Sequence, residues 1–131
     1  MDARVLRWLL SFAVVSTAIH FTHNFVEIEE YPQSDLVSDG PVKAAIVISW
    51  PLFTALAVHA YRLYARGDHG PARRWLAAYG LWAMVSLGHF VNGNPDIPLV
   101  WYATIWTDVL AGALVLAFAL LARDEPATVR G

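Results

Sequence analysis

The chain has 131 residues, of which 57% are hydrophobic and 15% charged, and its formal net charge at pH 7 is -2. A soluble domain of this length could not bury so much apolar surface, so the composition favours a single membrane domain, residues 1–131. The sequence has no cysteine, which excludes a disulfide scaffold and a thiolate metal site. It also has no basic stripe with interleaved aromatic residues, so we expect no nucleic acid partner.

Four apolar segments follow one another along the chain, separated by loops that contain Gly and Pro. Each segment is close to the ~20 residues that a helix needs to cross a bilayer. None shows the alternation with a period of two that is typical of membrane β-barrels. The sequence therefore predicts an all-α integral membrane protein, a four-transmembrane-helix bundle with helices at about 5–26, 42–64, 75–91 and 98–122.

The basic residues predict the orientation of this bundle. Eight of the nine fall on the side that holds both termini, and only Lys43 falls on the other side. By the positive-inside rule, both termini are expected in the cytoplasm, and the expected location is a bacterial plasma membrane.

The first segment also has the pattern of a signal peptide. Arg4 and Arg7 would form its basic region, 8–15 its apolar region and 16–18 a small-residue cleavage site. We interpret the segment as the first transmembrane helix.

A polar stripe runs along one face of that first helix. Its members follow the i, i+4, i+7, i+8 and i+11 positions: Ser16, His20, His23, Asn24 and Glu27. Ionisable side chains in hydrocarbon are costly, and those that persist usually face the bundle interior and carry function. We therefore expect this stripe to face a functional cavity.

The second helix contributes two candidates to the same cavity. Trp50 lies deep enough to line a pocket. Pro51 leaves the carbonyl group of Val47 without its helical donor. We expect this free acceptor to face the cavity.

The third helix carries His89, with Trp82 and Ser86 on the same face and Asn92 at the helix mouth. At 1.5 Å per residue, His89 lies at about the same depth as His20. The six residues that end at Phe21 resemble the six that end at Phe90, since each has a hydroxyl group three residues before its histidine. This weak internal repeat predicts that the two histidines face each other.

The fourth helix places Thr104 and Asp108 on one face, and Trp106 at similar depth. Asp108 is expected ~15 Å from the outer end of the helix, close to the midplane and beneath the two histidines. A neutral carboxylic acid in an apolar pocket can donate a proton to an alkene, an epoxide or an enol. Asp108 is the residue placed for that role, and a nearby histidine would take a proton back.

These patterns favour a small membrane enzyme that uses acid–base catalysis without a cofactor. It would isomerise, cyclise, hydrate or hydrolyse a lipophilic small molecule or lipid in an outward-facing pocket. The expected catalytic residues are Asp108, His20, His89 and Glu27. The expected substrate-binding residues are His23, Asn24, Asn92, Trp50, Trp82, Trp106 and Thr104.

Three other interpretations stay open. His20 and His23 lie one turn apart and, with His89, could bind a divalent metal, or the two level histidines could hold a haem axially. The chain could instead bind or transport a lipophilic ligand without catalysis. It could also form a homodimer, because Ala and Gly residues on the fourth helix permit close packing.

Overall fold

Four α-helices form in the computed structural model, which describes residues 2–31, 38–91 and 93–122. They are α1 (Ala3–Val26), α2 (Asp39–Ala65), α3 (His69–Ala83) and α4 (Leu99–Leu121). A 3₁₀ turn, Ile28–Glu30, follows α1, and a 3₁₀ segment, Met84–Phe90, continues α3. No strand occurs within the described residues. The prediction of an all-helical chain is therefore confirmed for that part of the sequence.

Helices α2 and α3 begin earlier than the sequence predicts. Pro41 and Pro71 each occupy the third position of a helix, where a backbone N–H has no intrahelical acceptor and its loss costs little. The proline-containing stretches that mark loops in the sequence are therefore partly helical. Pro51 lies inside α2, which continues past it without a break.

Three helices, α1, α2 and α4, are long and apolar enough to cross a membrane. Helix α3 differs because it has 15 residues and carries Arg73 and Arg74 in its first half. The predicted third span, 75–91, is thus the end of an α-helix and its 3₁₀ continuation. A 3₁₀ helix rises more per residue than an α-helix, so this arrangement extends the third element further along the bundle.

Each helix packs against its neighbours in the chain, and α4 closes the ring against α1. At the crossing of α3 and α4 the backbones touch at two glycines. A Cβ added to Gly80 would lie 2.8 Å from the carbonyl oxygen of Gly112, and the reverse distance is also 2.8 Å. Gly112 therefore serves packing within the chain.

The core of the bundle is divided along its length. The half nearest the N-terminus is apolar and includes Leu6, Leu10, Leu76 and Val115. Polar residues occupy the interior of the other half: Ser16, Thr17, His20, His23, Asn24, Ser86 and Asp108. The fold thus concentrates its buried chemistry at one end.

Candidate functional site

Asp108 on α4 lies at the centre of the polar half and has 0% of its surface exposed. Two hydroxyl groups contact its carboxyl oxygens. Thr17 on α1 places Oγ1 2.5 Å from Oδ1, and Ser86 on the continuation of α3 places Oγ 2.6 Å from Oδ2. Three helical elements therefore meet at one carboxyl group.

The hydrogen bonds of Thr17 indicate whether the carboxyl group of Asp108 is protonated. The Thr17 hydroxyl also lies 2.8 Å from the carbonyl oxygen of Ala13, yet a hydroxyl group has only one hydrogen to donate. A protonated Asp108 satisfies both contacts, because its O–H donates to Thr17 while Thr17 donates to Ala13. Ser86 then donates to the other carboxyl oxygen.

His20 and His89 meet above this carboxyl group. Their Nε2 atoms are 3.2 Å apart, and the ring centroids are 5.1 Å apart at an interplanar angle of 75°. One ring can donate its N–H to the other. The sequence predicts that the two histidines lie at the same depth in the bundle, and the structure brings them into contact.

Two further polar side chains contact this histidine pair. Asn24 Nδ2 lies 3.2 Å from His89 Nε2, whereas Asn24 Oδ1 is buried and has no hydrogen-bond partner among the described residues. Thr104 Oγ1 lies 3.5 Å from Nδ1 of His20 and donates to the carbonyl group of Trp101 at 2.7 Å. The structure therefore places Asn24 and Thr104 in contact with the histidine pair.

A cavity of about 240 Å³ opens beside the histidine pair, between α1 and the end of the third element. Its lining residues are Phe21, Asn24, Trp82, Val85, Ser86, Gly88 and His89. The Trp82 ring stacks on Phe53 at 4.0 Å and meets the edge of Phe21 at 5.4 Å. The cavity thus combines an aromatic wall with three polar side chains.

Tyr31, like Thr17, is a residue of the site that the sequence did not predict. It is 1% exposed, its hydroxyl lies 2.8 Å from Nδ1 of His23, and its ring lies 4.6 Å from that of His89. Burial, with a smaller contribution from the charge of Glu30, raises the pKa of Tyr31 to about 12. The phenol is therefore protonated at neutral pH and can donate to His23. The apolar pair Ile28 and Tyr31, three residues apart in an acidic segment, was the available signal.

His23 and Glu27 lie on a different surface. His23 stacks on Trp101 at 4.3 Å, and both line a groove of about 500 Å³ together with Glu27. Glu27 is exposed at the end of α1. Glu27 therefore lines this groove and is not among the residues that line the cavity beside His89.

Two of the predicted pocket tryptophans also lie elsewhere. Trp50 lines a groove between α1 and α2, where its indole Nε1 is buried without a partner among the described residues. Trp106 is 49% exposed and stacks on Phe90. Val47, whose carbonyl Pro51 leaves free, borders the same groove as Trp50. Asn92 lies outside the described residues.

The geometry bears on the two cofactor interpretations. The described residues contain no group of three or more His, Asp or Glu side chains arranged to hold a metal ion. Axial haem ligation needs about 4 Å between two nitrogens, twice a metal–nitrogen bond of about 2 Å. The 3.2 Å between His20 and His89 is too short for that arrangement.

Comparison with known proteins gives no assignment. No protein family, curated protein or solved structure matches the chain.

Proposed function

We propose that the chain is an integral membrane enzyme that transfers protons to and from a lipophilic substrate, so that the substrate is isomerised, cyclised or hydrated. One observation carries the proposal: a single aromatic-walled cavity is lined by Ser86, which donates to Asp108, and by His89, which pairs with His20. A hydroxyl group that is hydrogen-bonded to the acid and a base thus border the same space. Such a pairing is what acid–base catalysis requires.

The proposal includes four membrane crossings. Helix α3 spans ~22 Å and its 3₁₀ continuation ~14 Å, and their sum exceeds the ~30 Å of a hydrocarbon core. The basic residues of the described ends, among them Arg7, Arg66 and Arg74, lie at the end opposite the site. By the positive-inside rule, the termini face the cytoplasm and the cavity lies in the outer leaflet.

Each residue has a specific role in this scheme. Asp108 has no exposed surface, so it would act through Ser86. In the reacting arrangement the carboxyl proton would lie on Oδ2 and pass to Ser86, while the Ser86 hydroxyl gives its own hydrogen to one substrate carbon. His89 would accept a proton from a neighbouring carbon, and His20 would stabilise the protonated ring. One proton enters and one leaves in an isomerisation, so no oxidant or reductant is needed.

Tyr31 supports this chemistry by covering the histidine pair, since its ring lies 4.6 Å from that of His89 and 6.2 Å from that of His20. Tyr31 and Ile28 of the same segment are each 1% exposed, and the backbone N–H of Asp96 donates to the carbonyl of Glu30, which ties this segment to the loop before α4. Exclusion of water favours proton transfer to carbon, because it protects a cationic or enolic intermediate. Trp82 adds a π face that would stabilise positive charge.

Deuterium incorporation from heavy water tests the proposal. The purified protein, in lipid nanodiscs in D₂O, is incubated with a panel of lipophilic alkenes, epoxides and enones that are analysed by mass spectrometry. We expect carbon-bound deuterium in at least one compound with wild type and with the control His69→Gln, and none with Asp108→Asn or His89→Ala. Equal incorporation by wild type and Asp108→Asn would contradict the role of the carboxyl group.

A further inference from the structure

A groove of about 350 Å³ runs between α1 and α2, in the half of the bundle that holds the N-terminus and away from the polar site. Two of its lining residues, Leu10 and Ala57, are buried. Two others, Val15 and Val58, are 57% and 44% exposed. The groove is therefore an open apolar channel on the surface that α1 and α2 present to the membrane.

Arg7 and Tyr61 line the groove near its cytoplasmic end. Each lies four residues, or ~6 Å, from the end of its helix, which is the depth at which long polar side chains reach the headgroups. The only ion pair within the described residues joins Arg4 to Asp2, so no carboxylate there neutralises Arg7. The groove thus has an uncompensated positive charge and a phenol hydroxyl group at headgroup level.

The length of the groove matches one leaflet of a bilayer. On α1 it extends from Arg7 to Val15, which is ~12 Å along a helix and close to half of a ~30 Å hydrocarbon core. A separate groove, lined by Trp50, lies between the same helices further along the bundle. A single acyl chain of the cytoplasmic leaflet would fit the first groove, whereas a transmembrane helix would extend past it through both leaflets.

We propose that this groove binds an anionic phospholipid of the cytoplasmic leaflet. Its phosphate group would accept hydrogen bonds from the guanidinium group of Arg7 and the hydroxyl group of Tyr61, and one acyl chain would lie against Val15 and Val58. A zwitterionic lipid offers the same chain and phosphate, but its ammonium group cancels the net charge that Arg7 attracts. The inference uses the proposed orientation of the helices and no step of the proposed catalysis.

Native mass spectrometry of the full chain in detergent tests the preference with two probes. Palmitoyl-oleoyl phosphatidylglycerol and palmitoyl-oleoyl phosphatidylcholine carry the same acyl chains and differ in the charge of the headgroup. We expect wild type to bind one phosphatidylglycerol about fivefold more tightly than one phosphatidylcholine, which corresponds to ~1 kcal/mol.

Two variants locate the source of this preference. Arg7→Gln removes the charge at the groove, so it is expected to bind the two lipids alike. Arg66→Gln is the matched control, because it removes the same charge from an exposed position at the same end of the bundle that does not line the groove. This control should keep the fivefold preference.

Photolabelling locates the acyl chain without any substitution in the groove. Wild type in nanodiscs is irradiated with phosphatidylglycerol or phosphatidylcholine that carries a diazirine on one acyl chain, and labelled residues are mapped by mass spectrometry. We expect the phosphatidylglycerol probe to label Val15 and Val58, and the phosphatidylcholine probe to label them about fivefold less. This comparison remains decisive even if Arg7→Gln fails to fold.

The inference is overturned if wild type binds the two lipids alike, if both variants lose the preference equally, or if the diazirine labels no residue of the groove. A groove without label in a protein whose native mass is that of two chains would show that a second copy covers it. Deuterium incorporation without a lipid preference would contradict the lipid site alone. A lipid preference without deuterium incorporation would contradict the proposed catalysis alone.

Discussion

Thr17 and Ser86 contact opposite oxygens of the same buried carboxyl group, at 2.5 and 2.6 Å. Each precedes by three residues one of the two histidines that meet at 3.2 Å. The same short pattern, a hydroxyl group one turn before a histidine, thus occurs on α1 and on the continuation of α3. Asp108 on α4 joins the two copies.

Asp108→Asn tests the protonation state of this carboxyl group. Asn resembles a protonated Asp, because its amide group can donate to Thr17 while its oxygen accepts from Ser86. We therefore expect the unfolding free energy to change by less than about 1 kcal/mol, whereas Asp108→Leu leaves two buried hydroxyl groups unsatisfied at about 1–3 kcal/mol each. Reversible unfolding in detergent measures both. A large loss in Asp108→Asn would indicate that the native carboxyl group is ionised.

The crossing of α3 and α4 predicts a sharp difference between two glycines. Gly80→Ala would place a Cβ 2.8 Å from backbone atoms of α4, whereas a Cβ at Gly88 has nothing within 4 Å. We expect Gly80→Ala to reduce the unfolding free energy by about 1–3 kcal/mol, since packed backbones must separate. Gly88→Ala should be close to neutral. Thermal unfolding measures the stabilities of the two variants. Equal stabilities would show that the backbones of α3 and α4 have room for a Cβ at Gly80.

The topology predicts that Gly70 and Asp96 lie on opposite sides of the membrane. Gly70 is the second residue of α3, and Asp96 lies three residues before α4 begins at the other end of the bundle. Both residues are exposed. In a chain without native cysteine, Gly70→Cys and Asp96→Cys can each be labelled with a membrane-impermeant maleimide on whole cells. We expect labelling of Asp96→Cys in intact cells, and of Gly70→Cys only after lysis. Labelling of both in intact cells would contradict four crossings.

Sequence periodicity predicted most of this site because it depends on depth and helical face. His20, His89 and Asp108 could be aligned from 1.5 Å per residue alone. Periodicity could not predict that Thr17 and Ser86 bind Asp108, since that depends on how the helices rotate against one another. It also could not place Trp106. This residue lies at the predicted depth of the pocket along the fourth helix, yet it faces outwards. Lipid and protein interior are equally apolar, so an apolar side chain does not indicate which of the two it faces.

Loop residues were the least predictable part of the site. Tyr31 follows an acidic stretch that indicates a solvated loop, yet it is 1% exposed. Its contacts come from the return of the chain over the histidine pair, for which the apolar pair Ile28 and Tyr31 is a weak signal in the sequence. Glu27 was expected beside His20 because it continues the polar stripe, but it follows the last residue of α1, Val26, and is exposed.

The ring of Tyr31 and its hydroxyl group can be tested separately. Because the ring lies 4.6 Å from that of His89, Tyr31→Ala should expose this histidine, whereas Tyr31→Phe should keep it covered. Diethyl pyrocarbonate modifies accessible imidazoles, and peptide mapping by mass spectrometry identifies each one. We expect faster modification of His89 in Tyr31→Ala only, with His69 as an internal reference. Equal protection in all three proteins would show that Tyr31 does not cover the site.

The hydroxyl group of Tyr31 predicts a dependence of stability on pH. Its pKa is raised from 10.0 to about 12, chiefly by burial, so the folded state favours the protonated phenol more than the unfolded state does. The corresponding contribution to stability is fully present below pH 10 and is lost as the pH rises towards 12.

Tyr31→Phe has no proton to lose, so the difference in unfolding free energy between wild type and this variant should be constant from pH 7 to pH 9 and shift in favour of the variant above pH 10. Other basic groups and tyrosines titrate in the same range, but they are common to both proteins and cancel in the difference. Denaturant unfolding at a series of pH values measures it, and a difference that stays constant up to pH 12 would show that the phenol is not held in the protonated form by its surroundings.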